Sequence, residues 1–111
     1  MLSAFLPTRA AMLASFTLLL SSGAAEAATP SVSIKGFAFV PQVITVTVGT
    51  TISWTNEDED PHTVVANDKS FHSAAMDTDD RFSYTFTKPG EFAYFCSLHP
   101  HMTGKVIVKG R

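Results

Sequence analysis

Beyond the first thirty or so residues, apolar side chains recur at every second position. In VITVTV, Val43, Thr45 and Thr47 share one face while Ile44, Val46 and Val48 share the other. A two-residue period rich in β-branched side chains predicts a half-buried strand. TISWTN places Ile52 and Trp54 together, RFSYTF aligns Phe82, Tyr84 and Phe86, and EFAYFC aligns Phe92, Tyr94 and Cys96. Gly49 and the Pro89–Gly90 pair in TKPGE carry turn chemistry between these runs. SVSIKGFAF opens the series, and KVIV from Lys105 closes it. No stretch of this region has a helical period, and KSFHSAAMDTDD has room for one helical turn at most. The pattern predicts an all-β domain of about seven to eight short strands, a sandwich or barrel whose core is one face of each strand.

The N-terminal segment follows a different rule. Arg9 supplies a positive start, AAMLASFTLLL an apolar run and AEA (Ala25 to Ala27) a small-residue cleavage signal. The apolar run falls well short of the ~20 residues that a spanning helix needs. Residues 1–27 are therefore expected to be a cleavable signal peptide, and residues 28–111 the mature domain, with no stable membrane insertion. No twin-arginine pair and no cysteine just after the cut suggest another export route or a lipid anchor.

The chain has 111 residues and a formal net charge of −2 at pH 7. That length supports one folded domain. No basic stripe is present to neutralise phosphates, which excludes a nucleic-acid binder. A domain this small commonly needs a disulfide or a metal to reinforce its modest core. The single cysteine, Cys96, can make no internal bridge. An unpaired cysteine in an exported protein is a reactive thiol, an intermolecular link or a ligand.

Its surroundings favour the ligand. In CSLHPHM, His99 follows Cys96 by three positions, and Met102 follows His99 by three. Cys96 ends a strand on its inner face, and Pro100 forces the chain to turn beyond it. A tight loop of this kind can aim all three side chains at one ion. Thiolate, imidazole and thioether are soft or borderline donors that suit copper rather than magnesium or calcium. Methionine is not a normal partner of structural zinc. Two histidines, one cysteine and a weak axial methionine make up the blue-copper donor set. The second histidine must be His62, His72 or His101. His62 fits best, where a polar loop gives way to a strand after Pro61. His101 is too close behind His99, and His72 lies in a polar segment with no strand pattern.

With these residues in view, the sequence resembles the cupredoxins, most closely their amicyanin- and plastocyanin-like members. The likeness is carried by DPHTV around His62, FSYTFTKPGEFAYFC leading into Cys96, and CSLHPHMTGKVIV beyond it. It covers nearly all of residues 28–111. It implies a Greek-key β-sandwich with one copper ion at one end, held by His62, Cys96, His99 and Met102. It implies a small soluble electron carrier, not an enzyme, cycling between Cu(II) and Cu(I). A periplasmic location is expected before a thylakoid lumen. The expected partners are transient: a c-type cytochrome, a dehydrogenase, or a copper or haem reductase. The domain is expected to be a monomer.

Two positions depart from the family pattern. His101 stands where relatives usually carry an apolar residue. Thr63 stands where many carry an asparagine that hydrogen-bonds across the site, so a Thr63–Ser97 contact is expected in its place. The edge of His99, ringed by Leu98 and Pro100, is the expected electron exit. NEDED (Asn56 to Asp60) contains four acids and reads either as a solvated loop or as a steering patch for a basic partner. Two other functions compete. A copper-delivery protein would favour exposed methionines, and only Met76 and Met102 follow the signal segment. A Cys96–His99 hydrolase lacks a third orienting residue.

Overall fold

A computed structural model describes residues 29–111. The expected signal segment, residues 1–27, lies outside the described residues. Eight strands run in chain order: β1 (Ser31–Ile34), β2 (Phe39–Val40), β3 (Val43–Thr47), β4 (Thr51–Asn56), β5 (Val65–Ala66), β6 (Arg81–Thr85), β7 (Gly90–Phe95) and β8 (Thr103–Lys109). There is no helix among the described residues.

The strands form two four-stranded sheets, ordered β2-β1-β4-β6 and β3-β8-β7-β5. β1 pairs with β4, and β3 with β8, in parallel, while the other pairs are antiparallel. The chain changes sheet at every link from β2 to β7, and only β1–β2 and β7–β8 are neighbours in both sequence and sheet. The result is the Greek-key sandwich that the alternation and the resemblance implied.

The two-residue period works because successive side chains of a pleated strand face opposite ways. Thus Ile52, Trp54 and Asn56 of β4 are buried, as are Gly104, Val106 and Val108 of β8. The indole of Trp54 sits at the centre. It packs against Phe71, Phe82, Phe86 and Tyr94 at ring separations of 5.9, 5.8, 6.5 and 5.6 Å. Tyr94 lies opposite Gly104 across the β7–β8 ladder. A methyl group at Gly104 would overlap the Tyr94 ring, so the close approach requires glycine there.

One expectation shifts. β8 begins at Thr103, two residues before the apolar run suggested, because its ladder with Phe95 and Tyr94 starts there. The segment 69–80 forms no helical turn. It lies across the sandwich with Phe71, Ser73 and Met76 buried, tied by bridges between Val65 and His72 and between His62 and Met76.

Candidate metal centre

Three connections meet at one end of the sandwich: the β1–β2 turn, the β4–β5 link and the β7–β8 loop. His62 belongs to the second. Its N–H donates to the Met76 carbonyl (3.1 Å) and its carbonyl accepts from Met76 N–H (2.8 Å). That isolated bridge fixes it, so His62 is not on a strand of the sheet as its sequence context suggested. Buried Asn56 organises the loop before it. Its amide donates to the carbonyls of Asp60 and Met76, both at 2.9 Å, and its Oδ1 accepts from Asp58 N–H at 2.9 Å.

Cys96 comes directly after β7. Its N–H donates to the Met102 carbonyl (3.1 Å), Met102 N–H donates to the His99 carbonyl (2.9 Å), and His99 N–H to the Cys96 carbonyl (3.3 Å). These bonds close the seven-residue loop on itself. They turn His99 back toward the sulfur and bury Met102 against the sandwich. Pro100 has no N–H to lose in such a loop.

The donor atoms converge. Cys96 Sγ lies 3.7 Å from His62 Nδ1 and 3.9 Å from His99 Nδ1. All three lie within 4.8 Å of one another. Ligands about 2.0–2.3 Å from a common ion, spread near 120°, sit roughly 3.8 Å apart. The spacing and softness of this donor set therefore fit copper. Cys96 and His62 are fully buried, while the ring of His99 is partly open.

The sulfur is prepared as an anion. Burial pushes the Cys96 thiol up, but Thr63 N–H at 3.3 Å, the two imidazoles and Leu98 N–H outweigh it and bring its pKa down to about 6. Hydrogen bonds to a thiolate favour the charged form that binds metal. Thr63 also makes the expected contact across the site. Its Oγ1 accepts from Ser97 N–H at 2.7 Å and shares a 2.7 Å bond with Ser97 Oγ. This joins the link carrying His62 to the loop carrying Cys96 and His99.

His72 and His101 stay out. Both are exposed and neither belongs to the three-donor group. The acidic run divides: Glu57, Glu59 and Asp60 face solvent, whereas Asp58 turns inward. Its carboxylate accepts from Gly36 N–H (2.7 Å), Phe37 N–H (2.9 Å) and His62 Nε2 (2.9 Å). Burial pushes this carboxyl up, but those three donors hold it below its ordinary value. The ring of Phe37 stands edge-on to His62 and His99, at 5.3 and 5.1 Å. Sequence reasoning missed Asp58, Phe37 and Asn56. The four-residue step from Asp58 to His62 was the one available hint.

A family model described as "Cupredoxin-like domain" matches residues 8–108. The chain belongs to the cupredoxin family. This cupredoxin is 32% identical over 83 residues to amicyanin from Paracoccus versutus, covering 70% of the chain and 63% of that relative, a little under two thirds of its length. It is 31% identical to amicyanin-alpha from Methylorubrum extorquens, over 90% of the chain and 95% of the relative. A single-substitution amicyanin variant solved in its Cu(I) form superposes with a TM-score of 0.69 at 32% identity, covering 73% of this chain and 82% of that one. A copper-containing nitrite reductase from Thermus scotoductus superposes at 0.68 and 34% identity, covering 72% of this cupredoxin but 22% of the enzyme.

Proposed function

We propose that this cupredoxin is a small blue (type 1) copper protein that carries single electrons between redox partners. The observation that supports it most is the buried convergence of one sulfur and two imidazole nitrogens at the spacing a single ion requires. We assign His62, Cys96, His99 and Met102 as the ligands. Copper, when bound, would supply a reversible Cu(II)/Cu(I) couple. His62 and His99 would bind as neutral imidazoles through Nδ1, Cys96 as the thiolate and Met102 as a weak thioether donor. The chain's own contribution is rigidity. Thr63 pins Ser97 and the sulfur, the loop bonds itself closed, and the sandwich excludes water from all but one edge. Ligands held this way have little freedom to rearrange.

The open edge is His99. Leu98 and Pro100 beside it are exposed, which makes an apolar rim around the exit. This reading is of a carrier and not an enzyme. It works in the periplasm as a monomer, with a c-type cytochrome, a dehydrogenase, or a copper or haem reductase as transient partner. Glu57, Glu59 and Asp60 remain free to steer a basic partner at low salt, and Asp58 does not. Copper delivery is disfavoured because Met76 and Met102 are both buried.

The deciding experiment is the visible spectrum of the domain after Cu(II) is added, before and after a reductant. An intense band that bleaches reversibly, and that is absent in Cys96→Ser, is the expected result. A colourless protein would end the carrier reading. Rapid loss of copper to a chelator would favour delivery instead.

A further inference from the structure

Asp58 belongs by sequence to an acidic surface run, yet its carboxylate is 13% exposed and fully engaged. Two of its bonds go to consecutive backbone N–H groups of the β1–β2 turn, more than twenty residues upstream. Lys35 and Ala38 close that turn with reciprocal bonds of 2.9 and 3.2 Å. Both central residues have positive φ, 62° at Gly36 and 57° at Phe37. Glycine takes such a conformation freely, but an aromatic residue adopts it only when its surroundings hold it. The carboxylate holds it, because the left-handed pair aims both N–H groups at one point. The third bond goes to Nε2 of His62.

The chemistry of that third bond is one-sided. An ionised carboxylate only accepts, so Nε2 carries a proton, and in the neutral ring that binds metal Nδ1 then keeps its lone pair. Nδ1 is the nitrogen that faces Cys96 Sγ. A carboxylate on the outer N–H of a metal-binding histidine orients the ring and makes it a stronger donor. The same carboxylate, through Phe37 N–H, sets the aromatic ring edge-on to both His62 and His99.

We propose that Asp58 is the positioning residue of this centre: its carboxylate clasps the Gly36–Phe37 turn to His62, fixes the ring plane and Nε2–H tautomer of His62, holds Phe37 over both imidazoles, and favours the cupric over the cuprous state. The last part rests on the copper reading above. The tautomer and the clasp do not. Asp58 bonds the ligand and not the donor atoms that face the ion, and so acts through His62.

The test uses Asp58→Ala and Asp58→Asn, each read in two ways. In the metal-free protein, long-range ¹H–¹⁵N correlation of the imidazoles should show His62 as a single Nε2–H tautomer, turning into a mixture in Asp58→Ala. In the copper-loaded protein, Asp58→Ala should shift the ratio of Cu(II) to Cu(I) affinity about tenfold toward Cu(I). That corresponds to a rise of about 59 mV for a one-electron couple. Asp58→Asn keeps an acceptor for Nε2–H but loses the charge, so its potential should fall between the two, and it serves alone if the alanine variant does not fold. An unchanged tautomer in the metal-free variants would overturn the clasp whatever the copper does. An unchanged or lowered potential, with the tautomer altered, would overturn the redox part. Failure of the unsubstituted protein to turn blue would remove the copper reading and leave the tautomer result standing.

Discussion

The middle of the sandwich and its metal end are built by opposite means. The middle is apolar, and rings from both sheets fill it by volume, with Trp54 touching four other aromatics. Polar atoms there fare poorly: Trp54 Nε1 and Tyr94 Oη are buried without a well-formed partner among the described residues. Burial pushes the Tyr94 phenol up to about 12, Trp54 Nε1 offsetting part of the rise. The metal end holds together through directed bonds between segments that share no sheet ladder. Asn56, Asp58, Thr63 and Ser97 each link one connection to another or brace a single loop. Volume sets the cost of error in the middle, and direction sets it at the end.

The sharpest test of that contrast is Trp54→Ala. Emptying the centre should cost about 3–5 kcal/mol, seen as a lower denaturant midpoint, because the surrounding rings cannot collapse fully into the gap. The spectrum of any copper-loaded fraction that remains folded should be unchanged. A changed spectrum would mean that the two regions are not separable.

The second test uses the sulfur. The folded pKa of Cys96, about 6, lies below its ordinary 9.0, so the thiolate stabilises the metal-free fold. That stabilisation is complete above about 9 and is lost as pH falls through about 6. The metal-free protein should therefore melt progressively lower across this window, and Cys96→Ser should lack that part of the slope. Equal slopes in the two proteins would deny the thiolate.

Thr63→Val comes next. It keeps the volume but removes the hydroxyl that meets both Ser97 N–H and Ser97 Oγ. A loss of about 1–2 kcal/mol in the denaturant midpoint is expected, with the colour retained. A neutral result would show that the Thr63 N–H bond to sulfur suffices. The smallest structural effect belongs to Leu98→Asp, at an exposed position beside His99. Stability and spectrum should hold while electron exchange with a partner slows. An unaltered exchange rate would place the exit elsewhere.

The same division decides what the sequence could reveal. Strand faces were readable because the pleat imposes period two on any strand with one buried side. Ile52 and Trp54, or Tyr94 and Cys96, could be assigned inward from spacing alone. Cys96 and His99 were readable together because they lie in one short loop that cannot carry them far apart, and Met102 closes the same loop. His62 came by elimination among histidines, and its bridge to Met76 was hidden. The Thr63–Ser97 bond came from the family likeness and not from pattern. Asp58 was misplaced among surface charges, because a bond from a carboxylate to backbone N–H groups over twenty residues away leaves no periodic trace. Phe37, nearly half exposed in a turn, gave no sign that it covers two imidazoles.

Trp54 is the only indole in the chain and is sealed from water. Its fluorescence therefore watches solvent reach the interior, while cupric absorption watches the loops at the tip. Following both signals during heating would tell which gives way first, the seat of the ion or the walls beneath it.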